Sequence, residues 1–141
     1  MSETIYEMLM RHEGVKGKPY RDTRGRLTIG VGRNLEDTGI SESEAFNLLH
    51  ADVHRARRGL DKYLPWWSAE PDPVRIVLQN MAFQLGVKGL LEFDQTLAAL
   101  RRRDYPAAAK HMLDSLWAKQ TPKRAQELAE IVAVQSIDAD H

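Results

Sequence analysis

The chain has 141 residues, room for one compact domain, and 43% hydrophobic residues can fill a core, which excludes wholesale disorder. Twenty Lys and Arg balance twenty Asp and Glu, so bulk charge gives no argument for nucleic-acid binding. There is no cysteine, which excludes disulfides, thiolate metal sites, iron–sulfur clusters and cysteine nucleophiles.

The opening Met1-Ser2-Glu3-Thr4 is acidic, and Glu7, Arg11 and His12 interrupt the first apolar residues. Neither a secretory leader nor a membrane-inserting segment is expected, and synthesis in the cytoplasm follows. Thr4-x-x-Glu7 is a capping box, with Ile5, Met8 and Leu9 at helical spacing and Gly14 as the stop, so a first helix runs to about Glu13. From Lys18 to Gly32 the pattern changes: Tyr20, a turn in Asp22-Thr23-Arg24-Gly25, then Leu27, Thr28, Ile29 and Val31 interleaved with glycine predict a β-hairpin.

The same stretch is basic. Arg11, Lys16, Lys18, Arg21, Arg24, Arg26 and Arg33 stand against Glu13 and Asp22 alone, a local balance of +5, whereas Asn34 to His54 holds five acids and no Lys or Arg. Such a run faces an anionic polymer or is a solvated surface, and the second is the commoner case.

Ser41-x-x-Glu44 opens a second helix with Phe46, Leu49, Val53, Ala56 and Leu60 on one face, reaching Asp61 before Pro65. Asp72 reads as the N-cap of a third, with Pro73 at its first position and Val74, Val77, Leu78, Met81, Ala82 and Leu85 marking a mostly buried helix to Gly86. Leu90 to Arg103, Pro106 to Trp117 and Pro122 to about Val134 read as three more, the last capped by Thr121. Arg101-Arg102-Arg103 suits the negative end of a helix, and the tail from Gln135 is expected to be loose. The architecture expected is α+β and predominantly helical: one domain over 1–141, with a small β lobe at about 15–40, a linking helix at about 42–61, and a helical lobe from 1–13 and 72–134.

Glu13 ends a helix, Asp22 follows nine residues later in the hairpin turn, and Thr28 lies on the return strand. Two carboxyls from different elements can face each other, as glycoside hydrolysis requires: one protonated for the leaving oxygen, one ionised to activate water or attack the sugar. By spacing alone this is weak evidence, because a chain with twenty acids holds many such pairs.

Particular residues sharpen it. Arg-His-Glu-Gly at 11–14, Pro-Tyr-Arg-Asp-Thr-Arg-Gly at 19–25 and Leu-Thr-Ile-Gly-Val-Gly at 27–32 resemble the phage-type lysozymes, glycoside hydrolase family 24. The resemblance continues through Asn80-Met81-Ala82-Phe83-Gln84-Leu85-Gly86 and through Ser115 to Ala125, in order over nearly the whole chain. It implies a lysozyme-like fold and a muramidase that cuts the β-1,4 bond between N-acetylmuramic acid and N-acetylglucosamine in bacterial peptidoglycan. Glu13 is then the proton donor, Asp22 the base or charge stabiliser, and Thr28 a hydroxyl that holds the attacking water, with inversion as the expected outcome. Phe83 and Gln84 match the family's cleft-lining helix, Arg124 matches an arginine that approaches the catalytic acid, and Thr96 and Asn34 are looser candidates for sugar contacts.

The negative end of a helix macrodipole favours a protonated carboxyl, which suits an acid at position 13, while a paired Arg124 would favour the ionised form; the sequence leaves that balance open. Asp22, in a wet and arginine-flanked turn, should stay ionised. Where the T-even branch of the family carries histidine after Thr-Ile-Gly-x-Gly, Arg33 stands here, and the insertion before the long helix is shorter.

His50 and His54, four apart on a helix, have no evident third ligand, so no metal or other cofactor is expected. His12 is read as a half-exposed helix-end residue and Trp117 as core; Trp66 and Trp67 sit at a helix junction, where core packing is the commoner use. Met8, Met10, Met81 and Met112 fall on apolar helical faces. Two rival classes are a non-catalytic wall-binding relative, which would be expected to lack Glu13, Asp22 or Thr28, and a nucleic-acid binder, for which no recognition motif is present. A lytic transglycosylase would need the acid but no water-activating base. The partner implied is peptidoglycan, with no nucleic acid, no membrane insertion, a monomeric chain, and release through a holin-like pore.

Overall fold

The structure, a computed structural model, describes residues 2–135, so the tail expected to be loose lies, past Gln135, outside the described residues. The fold is α+β and predominantly helical, as expected, and the chain divides into two compact units, 1–48 and 49–141.

The first unit opens with α1 (Ile5–Glu13). Its capping box is formed in full: the Glu7 amide donates to Thr4 Oγ1 and the Thr4 amide to Glu7 Oε1, both at 3.1 Å. Gly14 ends the helix at φ 76, a left-handed value that costs a residue without Cβ nothing, and its amide closes on the Met10 carbonyl at 2.9 Å. No residue of α1 is buried, so Met8 and Met10 are exposed, unlike Met81 and Met112.

The hairpin forms from β1 (Lys16–Arg21) and β2 (Leu27–Gly30), antiparallel, with Tyr20 opposite Thr28 and Arg21 opposite Leu27. Pairing is irregular between Lys16 and Tyr20, where Pro19 has no amide to give to the ladder. A third strand, β3 (Arg33–Asn34), pairs with β2 and completes a sheet of order β1-β2-β3. Two residues carry no readable alternation, which is why the sequence pattern stops at the hairpin.

Helix α2 (Glu42–Tyr63) starts in the first unit and continues into the second. Ser41 and Glu44 form its capping box, at 3.1 and 2.9 Å, and it runs two residues beyond Asp61 before the 3₁₀ turn Pro65–Ala69.

Helix α3 (Asp72–Leu91) departs from expectation at both ends. Asp72 is the first helical residue and not the cap; Pro71 precedes it, without a side-chain cap bond. The helix breaks at Gly86 (φ 74, ψ 156) where a stop was expected, then resumes to Leu91. The single helix expected from Leu90 to Arg103 is therefore divided: Leu90 and Leu91 end α3, Phe93 is non-helical, and α4 is Asp94–Arg101. The segment from Pro106 to Trp117 also divides, into α5 (Tyr105–Leu113) and α6 (Leu116–Gln120), because Ser115 Oγ accepts the Ala118 amide at 3.1 Å and starts a new helix. Helix α7 (Pro122–Ala133) begins after Thr121, but the Thr121 hydroxyl donates to the Trp117 carbonyl at 3.0 Å and does not cap it.

The core of the second unit centres on Leu60, Val74, Val77, Leu78, Met81, Leu90, Leu100, Tyr105, Met112 and Val132, all buried. Each large side chain of this kind contributes about 1.5–3 kcal/mol of burial. Helix α5 packs most extensively on α7 and then on α4. Trp117 is core, as expected, and so is Trp67, whose indole donates to Asp61 at 2.7 Å. The buried Glu70 accepts from Tyr105 Oη at 3.4 Å; burial pushes its carboxyl above the usual range. Among the described residues no helix is long and apolar enough to cross a membrane, and no group of three or more His, Asp or Glu could hold a metal.

Candidate active site

Glu13 is the last residue of α1, brought to the helix end by the Gly14 stop. Among the described residues of its unit the carboxyl makes no hydrogen bond; what stands against it is Gly32, on which a Cβ would lie 2.9 Å from Glu13 Oε2.

Asp22 is fixed on every side by the turn it opens. Its Oδ1 accepts the amides of Arg24 and Arg26, both at 2.9 Å, its carbonyl accepts the Gly25 amide at 2.9 Å, and its own amide donates to the Arg26 carbonyl at 3.0 Å. Gly25 at φ 79 supplies the left-handed residue that this turn requires. The Arg26 amide does most to hold the Asp22 carboxyl below the usual carboxylate range; burial, the next largest effect, opposes it, and the Arg24 amide and the charges of Arg26 and Arg24 add to the lowering.

Thr28, directly after the turn on β2, is 2% exposed, and its hydroxyl donates to the Arg26 carbonyl at 2.8 Å. With that proton engaged, Oγ1 has only acceptor capacity left.

The basic run is largely answered from within. Arg11 pairs with Glu3 at 2.8 Å, Arg21 with Glu36, Arg26 with Asp37 at 2.8 Å, and Arg33 grips Glu44 through two bonds of 2.9 and 2.6 Å. Arg33, in the position of the T-even histidine, thereby joins the strand end to the start of α2. Its guanidinium does most to hold Glu44 down, to about 2, helped by the Ser41 amide. Residues 1–48 hold seven Lys and Arg and eight Asp and Glu, a net of −1, so the +5 of the hairpin stretch does not survive folding as a net positive unit.

Asn34 is committed to its own loop: its side chain donates to Asp37 Oδ2 and accepts the Asp37 amide, both at 3.0 Å. In the second unit Thr96 is buried on α4 at 3% exposure. Phe83 is 43% exposed and, with Leu49, Val53, Ile76, Asn80 and Arg124 among its neighbours, lines a groove of about 380 Å³. Gln84 Oε1 accepts the Trp117 indole at 2.8 Å, and Phe93 meets that indole edge-on at 5.7 Å, so the Gln84 amide is held with its NH₂ group uncommitted among the described residues. Arg124 donates through Nε and Nη2 to Asn80 Oδ1, at 2.9 and 2.6 Å.

Sequence reasoning named Asp22 and Thr28 but missed the Arg26 main chain that organises both. A backbone carbonyl leaves no mark on residue type, so only the turn spacing around Asp22 pointed toward it.

A three-stranded antiparallel sheet that carries this turn, joined to a helical unit, is the architecture of a lysozyme-type protein. Residues 10–131 match the phage lysozyme family, and the chain belongs to that family. It is 33% identical, over 96% of its own length, to the pre-baseplate central spike protein Gp5 of Enterobacteria phage T4, but spans only 28% of that protein. It is 29% identical to probable T4-type lysozyme 1 of Dictyostelium discoideum, over 99% of each chain. To probable T4-type lysozyme 2 of the same organism it is 24% identical, over 93% of this chain and 94% of that one.

Proposed function

We propose that the chain is a muramidase that hydrolyses the β-1,4 bond between N-acetylmuramic acid and N-acetylglucosamine of peptidoglycan, with Glu13 as general acid and Asp22 as general base. The observation that carries the reading is the pairing of two acceptors organised by one stretch of main chain: an Asp22 carboxylate kept ionised by the Arg24 and Arg26 amides, and a Thr28 hydroxyl whose proton goes to the Arg26 carbonyl. A water that donates one hydrogen to each keeps a lone pair for the anomeric carbon. Glu13 gives its proton to the leaving oxygen as the glycosidic bond breaks, and Asp22 takes the proton of the attacking water, so the sugar is inverted.

Phe83 and Gln84 are proposed as sugar contacts, the first by its exposed ring and the second by its free amide donors. The family pattern supports Asn34 and Thr96 less directly, and assigns Arg124 a supporting role toward the acid. The substrate is met in the bacterial cell wall by a monomeric chain released through a holin-type pore.

The test is loss of turbidity of bacteria with permeabilised outer membranes, wild type against Glu13→Gln. The amide keeps size and hydrogen bonding but has no proton to donate, so the rate should fall by about a hundredfold or more, with native circular dichroism. Clearing by both proteins alike overturns the proposal.

A further inference from the structure

We infer that Gly32, the second glycine of Thr-Ile-Gly-Val-Gly, is a positioning residue for Glu13, holding the acid in place by having no side chain. A Cβ on Gly32 would lie 2.9 Å from Glu13 Oε2, 3.1 Å from Cδ and 3.2 Å from Cγ. All three distances fall inside van der Waals contact, so the last three carbon and oxygen positions of Glu13 rest on the bare face of this glycine. With no hydrogen bond to orient the carboxyl among the described residues of its unit, that contact is a local constraint on it.

The floor itself is rigid. Ile29 pairs with Arg33 across the turn that contains Gly32, and Arg33 is clamped by Glu44. A side chain at position 32 therefore displaces the flexible end of Glu13 and leaves the sheet in place. A shift of about 1 Å at a catalytic group can cost about a hundredfold in rate. This inference rests on the reading of Glu13 as the acid.

The motif supplies its own control. Gly30 has φ 70 and Gly32 φ 69, so alanine strains the backbone alike at both, yet a Cβ at Gly30 meets nothing within 4 Å. Gly30→Ala and Gly32→Ala are compared with wild type and Glu13→Gln for thermal stability, for kcat and KM on soluble peptidoglycan fragments, and for the pH dependence of kcat. Both alanine variants should lose similar stability. Gly32→Ala alone should lose kcat, by about ten- to a hundredfold, with KM kept and the basic limb of its pH profile displaced.

Equal kcat and superimposed pH profiles for the two alanine variants overturn the inference and leave Gly32 a turn residue. An active Glu13→Gln overturns instead the reading beneath it. If Gly32→Ala does not fold, adding Glu13→Ala removes the three clashing atoms and should restore the stability of Gly30→Ala; failure to do so also overturns the inference.

Discussion

Asp22 and Thr28 hang on one atom: the amide of Asp22, at 3.0 Å, and the hydroxyl of Thr28, at 2.8 Å, both donate to the carbonyl oxygen of Arg26. The carbonyl's two lone pairs are filled by the two residues proposed to hold the attacking water. Their mutual position is thus set by main-chain geometry on a twisted hairpin, which is stiffer than any contact between side chains.

Thr28→Val keeps the shape and burial of the side chain and leaves the Asp22 amide on Arg26, so the turn should persist while the water loses one acceptor. We expect kcat to fall by about tenfold, the worth of one hydrogen bond of about 1.4 kcal/mol, and Thr28→Ser to retain most of the activity. Steady-state kinetics on soluble fragments measure this, and equal rates for the valine and serine variants would remove Thr28 from the mechanism.

On the proposed mechanism, water activated by Asp22 attacks the face opposite the leaving group, for which inverting enzymes place their carboxyls about 6.5–9.5 Å apart, against about 5 Å in retaining ones. Proton NMR of freshly cut peptidoglycan, read before mutarotation, should show an α reducing end first. A β end speaks for a covalent intermediate. A 1,6-anhydro end means that no water attacks, leaving Asp22 some other duty.

Glu44 gives a dependence on pH that does not involve the reaction. Its carboxyl lies at about 2 in the folded chain against an ordinary 4.5, so the ionised form is favoured by folding. The stabilisation is complete above 4.5 and disappears as pH falls from there through about 2. Glu44→Gln should therefore melt below wild type at pH 6, and the gap should close toward pH 2. A gap that stays constant over that range would show that the Arg33–Glu44 pair does not carry it.

Local signals were legible where one short stretch decides the outcome. Thr4 and Glu7, four positions of chain, fix the start of α1, and Asp22 to Gly25 fix the hairpin turn. Where two neighbours compete for the same segment, the sequence misleads. Apolar spacing runs unbroken from Leu90 to Leu100, yet Phe93 leaves the helix and packs edge-on against Trp117, a partner too distant in sequence to be read. Ser115 is a cap by residue type, masked in the sequence by apolar periodicity that continues across it. The candidate acid and base were legible as residue types; the meeting of Gly32 with Glu13, nineteen positions apart, needed three dimensions.

The arginines of the hairpin answer to acids that come later in the chain: Glu36, Asp37 and Glu44 take up Arg21, Arg26 and Arg33. What an anionic polymer would meet is thus governed in part from outside the strands, by Glu36 and Asp37 in the loop and Glu44 at the start of α2. Two conservative amides, at Glu36 and Asp37, would turn the balance of residues 1–48 from −1 to +1 without touching a single cation or either candidate carboxyl. The acidic loop is a dial on adsorption to anionic surfaces, separable from catalysis, and one that dissolved salt works against, because screening weakens the pull of freed cations toward the polymer along with each exposed pair.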